Sequence, residues 1–113
     1  MNGVNQVKAW VLTTAMVASF AAGAADIEIL QNDKTFKLNG EQVEELTINA
    51  GDTVHFKNED PFFHNIFSLS DLKTFDLGSY PAGESKSITF DEPGEAEIEC
   101  AIHPEMYMII EVQ

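Results

Sequence analysis

Cys100, His103 and Met106 lie in one short run, CAIHPEM, with the pattern C-x-x-H-x-x-M. His64 stands far upstream, in PFFHNIF. The set offers one thiolate, two imidazoles and one thioether. Thiolate and thioether are soft ligands, and imidazole suits copper. Two His and one Cys in a plane, with a long axial Met, describe a blue-copper electron-transfer site. The spacing permits convergence. A loop from Cys100 to Met106 must bend sharply between strands, so its three donors can face one point. The fourth donor then comes from a different strand and ties the loop to the body of the fold. Such a constrained site changes shape little between Cu(I) and Cu(II), as an electron carrier requires. His64, Cys100, His103 and Met106 are therefore the expected metal ligands, with no catalytic residue among them.

Other chemistry fits these residues less well. Cys100 and His103 could make a nucleophile and base, but they sit three positions apart in a tight loop with no third group to orient them. Zinc accepts Cys and His but gains little from Met. The acidic runs Glu41, Glu44 and Glu45, Asp91 and Glu92, and Glu95, Glu97 and Glu99 lack calcium-loop spacing. Strand alternation makes the last set a solvated face. His55 alternates outward between Val54 and Phe56, so it reads as a surface residue and not a ligand.

The elements that must hold these side chains are short strands and turns. IEIL (27–30) and TFKL (35–38) flank the turn-rich QNDK and form a hairpin pattern. NGEQ is a further turn, and LTIN (46–49) alternates apolar and polar. TVHFKN (53–58) alternates with Val54 and Phe56 on one face, and NIFSL (65–69) reads as a buried strand. The stretch 68–85 has weak periodicity and is expected to be a connection with one helical turn or an irregular strand. SITF (87–90), AEIEC (96–100) and the terminal YMIIEV are strands again. Seven to eight strands without a long helix predict an all-β antiparallel sandwich or barrel.

The chain has 113 residues, 19 of them acidic against 6 lysines and no arginine, for a net charge of -13. That charge repels a phosphate backbone and an anionic membrane surface, excluding nucleic acid and such membranes as partners. A hydrophobic content of 44% speaks against wholesale disorder. Lys8, the apolar AWVLTTAMVASFAA and the small residues GAA follow the order of a secretory signal peptide. Residues 1–25 are expected to be that signal, cleaved after Ala25 in preference to Ala24, leaving a domain at 26–113 exported to a periplasm. The apolar stretch is short for a membrane span. A single cysteine excludes an internal disulfide and, in an oxidising compartment, needs a function of its own.

At these residues the sequence resembles the cupredoxin family, in its plastocyanin- and amicyanin-like branch. GDTVHFKN is similar to the family's strand before the first His, His64-Asn65 to its His-Asn pair, and CAIHPEM to the short amicyanin-like ligand loop. The resemblance implies a Greek-key β-sandwich holding one type 1 copper on His64, Cys100, His103 and Met106. It places Asn65 behind the ligands, fixing the loop near the Cys sulfur. Met108 fits the longer plastocyanin-like spacing. Met106 is preferred, because Met108, Ile110 and Val112 share one strand face and Met is a common core filler. Phe63 and Ile102 stand where proline is common in these relatives, which bears on loop rigidity and potential. The implied function is a soluble, monomeric, non-enzymatic carrier of single electrons. Pro61, Phe62, Phe63, Pro104 and Met106 would form its apolar docking rim around His103. The acidic remainder would steer a transient redox partner with a basic surface, a cytochrome or a redox enzyme. The alternative is a copper storage or delivery module with the same ligands.

Overall fold

The structure, a computed structural model, describes residues 23–113. The expected signal segment lies outside the described residues up to position 22. Among the described residues no helix is long and apolar enough to cross a membrane. Ten strands follow in order: β1 (Asp26–Asn32), β2 (Thr35–Leu38), β3 (Glu41–Gln42), β4 (Glu45–Ile48), β5 (Thr53–Asn58), β6 (His64–Ser70), β7 (Lys73–Tyr80), β8 (Ser85–Thr89), β9 (Gly94–Glu99) and β10 (Tyr107–Val112). They form two five-stranded sheets, ordered β3-β2-β1-β5-β8 and β4-β10-β9-β6-β7.

The expected all-β sandwich is present, with two more strands than the upper expectation and with mixed sheets. β1 pairs parallel to β5, and β10 parallel to β4, while the other ladders are antiparallel. Parallel neighbours need long crossovers, and here the chain crosses between sheets to make them. The N-terminal end is tied into the first sheet before Asp26. The Ala25 amide donates to Asp52 Oδ1 (2.8 Å), and its carbonyl accepts from Thr53 (2.9 Å).

Alternation fixes which face each strand buries. In β5, Val54 and Phe56 point inward, and in β10, Met108, Ile110 and Val112 do. Ile29 and Phe36 join them from the first sheet, and Ile66, Ala96 and Ile98 from the second, with Tyr80 and Phe90 filling the space between. Each large aliphatic, Met or Phe side chain among them contributes roughly 1.5–3 kcal/mol by leaving water. His55 faces outward as expected and bonds Ser87 and Asp26 across the sheet.

Of the two expectations for the stretch 68–85, the irregular strand is the one present, as the return strand of a bulged hairpin. β6 runs on to Ser70, turns at Asp71 and Leu72, and returns as the eight-residue β7. β7 is an edge strand that alternates between exposed and half-buried from Lys73 to Leu77 and buries only Tyr80 at its end, so its apolar contrast is weak. It also carries one extra residue opposite Ile66, between Asp76 and Ser79, which breaks the period of two.

Tight turns set the hairpins. Asn39 and Gly40 both have positive φ (53° and 85°), the Asn-Gly geometry of a type I′ turn. Asp33 and Lys34 adopt the same left-handed conformation, each at φ 56°, without a glycine.

Candidate metal centre

His64 opens β6, Cys100 follows the last residue of β9, and Met106 precedes β10. All three therefore lie at one end of the second sheet. The ligand loop is closed by its own backbone: Met106 N–H donates to the His103 carbonyl (2.9 Å), and Cys100 N–H to the Met106 carbonyl (3.3 Å). His103 is thereby folded back over the strand ends.

The structure brings His64, Cys100 and His103 together. His64 Nδ1 lies 3.2 Å from His103 Nδ1. Cys100 Sγ lies 3.7 Å from His64 Nδ1 and 3.8 Å from His103 Nδ1. Metal bonds of about 2.0 Å to nitrogen and about 2.3 Å to sulfur, opened by about 105–120°, place donors about 3.2–3.7 Å apart. The triangle therefore has the size of a trigonal shell around one ion.

Proton placement agrees. His64 Nε2 lies 2.7 Å from Asp60 Oδ2, and both side chains are buried. A carboxylate accepts, so the ring proton sits on Nε2 and Nδ1 turns a lone pair to the centre. Two ring nitrogens and a sulfur converging at these distances can share one metal ion.

Asn65 holds the loop from the neighbouring strand. Its side-chain carbonyl accepts from Ala101 N–H (2.8 Å), and its backbone N–H points at Cys100 Sγ (3.5 Å). Met106 and Met108 are both buried. Both belong to the core cluster; Met108 pairs with Ile98 within the β9–β10 ladder, and Met106 lies just before β10.

The electrostatics follow from burial and neighbours. Burial works to raise the Asp60 pKa, but hydrogen bonds from His64, Lys34 and Asp33 outweigh it and hold the carboxyl below its ordinary value. Partial burial, then the nearby His64 and Lys34 charges, keep the His103 pKa low, favouring the neutral ring a metal requires. Burial pushes the Tyr80 phenol well above its usual range, with the Cys100 charge adding to it. Its hydroxyl donates to Gln31 Oε1 instead.

The surface around the centre differs from the expected rim. Met106 is buried and forms no part of it; its backbone is bonded to Cys100 and His103. Phe62 is half-buried, edge-on to His64 (5.3 Å) and tilted against His103 (5.1 Å). Phe63 is 54% exposed and Ile102 46%, so the two residues standing in place of proline supply large exposed apolar side chains here. Sequence reasoning missed Asp60. It sits four residues before His64 in an irregular segment, where no periodicity aims a side chain.

The sequence model described as copper binding proteins, plastocyanin/azurin family, matches residues 29–113, and the chain belongs to that family. No match was found among curated proteins. A mutant of amicyanin in its Cu(I) form superposes with TM-score 0.68 at 23% identity, over 83% of this chain and 86% of that one. A purple cupredoxin from Nitrosopumilus maritimus gives 0.65 at 24% identity, over 78% of this chain and all of that one. A copper-containing nitrite reductase (NirK) from Thermus scotoductus SA-01 gives 0.67 at 29% identity. That match covers 78% of this chain, which spans only 22% of the reductase's length. The fold is thus that of a cupredoxin, and the His-Cys-His donor set fits one copper ion of type 1.

Proposed function

We propose that the protein is a periplasmic carrier of single electrons and not an enzyme, with copper held by His64, Cys100, His103 and, axially, Met106. The observation that carries this reading is the triangle of two Nδ1 atoms and one Sγ, with sides of 3.2, 3.7 and 3.8 Å. Bound copper supplies a one-electron couple.

The chain's own residues supply the rest. Asp60 fixes the His64 ring, and Asn65 bridges β6 to Ala101 behind the sulfur. The donors thus stand in place beforehand, and little rearrangement accompanies a change of charge. His64 and Cys100 are buried, which keeps water from the sulfur. His103 alone of the three reaches the surface, where a partner resting on Phe63 and Ile102 comes close to the centre. Met106 supports the axial role through its backbone bonds to both Cys100 and His103, whereas Met108 is packed inside a ladder.

Export is supported by the order of Lys8, the apolar stretch and GAA. A basic cytochrome or redox enzyme is the partner that the net charge of -13 favours. Stopped-flow mixing of the Cu(I) protein with an oxidised basic cytochrome tests the role. Rapid second-order oxidation with copper retained is expected. Slow oxidation, with Cu(I) passing to a chelating acceptor instead, would mark a delivery protein.

A further inference from the structure

We propose that Asp60 is a positioning residue for the metal centre. Its carboxylate orients His64 from behind and, held there as an anion by the β1–β2 turn, favours the oxidised metal and lowers the reduction potential. The claim about potential rests on the copper reading above; the claim about orientation does not.

Asp60 is 4% exposed, yet its two oxygens receive three N–H donors. Oδ1 accepts from the Asp33 amide (2.7 Å), and Oδ2 from the Lys34 amide (3.0 Å) and from His64 Nε2 (2.7 Å). The two amides reach it because Asp33 and Lys34 are both left-handed, a conformation non-glycine residues seldom adopt as a pair. The turn is thus shaped around the carboxylate. Behind it, Asn58 Oδ1 accepts from the Asp60 amide (2.8 Å), and Asn58 Nδ2 donates to the carbonyls of Phe62 (2.7 Å) and Tyr80 (3.1 Å). The segment from Asn58 to His64 is therefore clamped at both ends.

A neutral carbonyl would be enough to choose the His64 tautomer. A carboxylate adds a charge, and among the described residues its only ion-pair partner is His64 itself. Lys34 lies nearby, but its Nζ sits over the Phe62 ring, 5.7 Å from the centroid, and forms no ion pair with Asp60. Amide dipoles hold the charge without cancelling it. In a buried setting the negative field is weakly screened and acts through one imidazole on the ion. It stabilises the more positive oxidation state, so the potential falls.

The test compares the full-length protein with Asp60→Asn, which keeps an acceptor for Nε2 and removes the charge. Both are loaded with Cu(II) and titrated potentiometrically. The variant should keep the thiolate-to-copper band, while the ratio of Cu(I) to Cu(II) at fixed applied potential rises at least tenfold, about 59 mV for one electron. A retained band with a smaller shift, or none, overturns the claim about potential, since a purely structural residue would change stability alone. Should the variant fail to fold, nitrogen NMR of the metal-free wild type decides the orientation. The expected signal is a His64 Nε2–H that exchanges slowly and lies close to the Asp33 and Lys34 amide protons. A proton on Nδ1, or a freely exchanging ring, overturns the positioning role. A wild type lacking the thiolate-to-copper band sinks the copper reading and the potential claim with it, but leaves the NMR result standing.

Discussion

Two methionines separated by one residue are both buried in the core cluster, and they differ in backbone position: Met106 lies in the loop before β10, Met108 within the strand. Met106 is bonded through its backbone to Cys100 and His103, while Met108 faces Ile98 deep in the core. Met106→Leu is expected to shift the visible spectrum and the potential of the copper protein. Met108→Leu should leave both unchanged and cost less than about 1.5 kcal/mol, as a volume-conserving core swap does. Spectra and denaturant melts of both variants check this; a spectral shift confined to Met108→Leu would reverse the axial assignment. The donor cluster His64, Cys100 and His103, which the structure brings together, was legible because His and Cys spacing narrows the metal even when one donor is distant in sequence. Asp60 was not legible, because a side chain in an irregular segment is aimed only by tertiary contacts with Asp33, Lys34 and Asn58. Met106 was read as part of a surface rim for a related reason: sequence shows that a residue is apolar, but not whether a turn folds it under the loop.

Strand ends and turns carry the centre, so their backbone geometry matters as much as the ligands. Gly94 opens β9, the strand that ends just before Cys100, at φ 143°, where an added Cβ would lie 3.0 Å from Leu72 Cδ1. Leu72 is flexible enough to yield, but the backbone conformation is one that L side chains rarely adopt. Gly94→Ala should therefore destabilise the fold by about 1–3 kcal/mol, read as a lowered midpoint in urea. An unchanged midpoint would show that the strand can start in another conformation. Asn65 bridges β6 to the ligand loop, and Asn65→Ala leaves the Ala101 amide without that acceptor. A loss of about 1 kcal/mol, with faster copper release to a chelator, is the expected outcome, while unaltered release would mean the loop is held by its own backbone bonds. The β1–β2 hairpin was readable from QNDK, and the turn at Asn39-Gly40 from NGEQ, since turn chemistry is local; the short β3 that follows it was not. The parallel pairs β1–β5 and β10–β4 were not, because nothing local in IEIL or YMIIEV names a distant partner. For β7 the sequence leaves a helical turn and an irregular strand both open, because an edge strand with an extra residue lacks a clean alternation.

Over the whole molecule the charge is unevenly useful. The outer face of β9 and β10 pairs Tyr107 with Glu99, Ile109 with Glu97, and Glu111 with Glu95. Slight burial and then Glu97, Glu99 and Glu95 push the Tyr107 phenol up, a local sign of that negative field. Of these pairs Glu111–Glu95 sets like charges opposite one another, which costs stability; the proposed basic partner would meet such a negative surface. Electron exchange with a basic cytochrome should slow as ionic strength rises from about 0.01 to about 0.15 M, where the screening length falls from about 30 to about 8 Å. A rate indifferent to salt would remove the acidic surface from docking and leave the copper centre untouched. The centre itself is tested most directly by absorption and electron paramagnetic resonance of the Cu(II)-loaded protein beside Cys100→Ser. An intense blue band with narrow copper hyperfine splitting, both lost in the serine variant, is the predicted result. A pale Cu(II) protein with wide splitting, unchanged when the sulfur is removed, would contradict it.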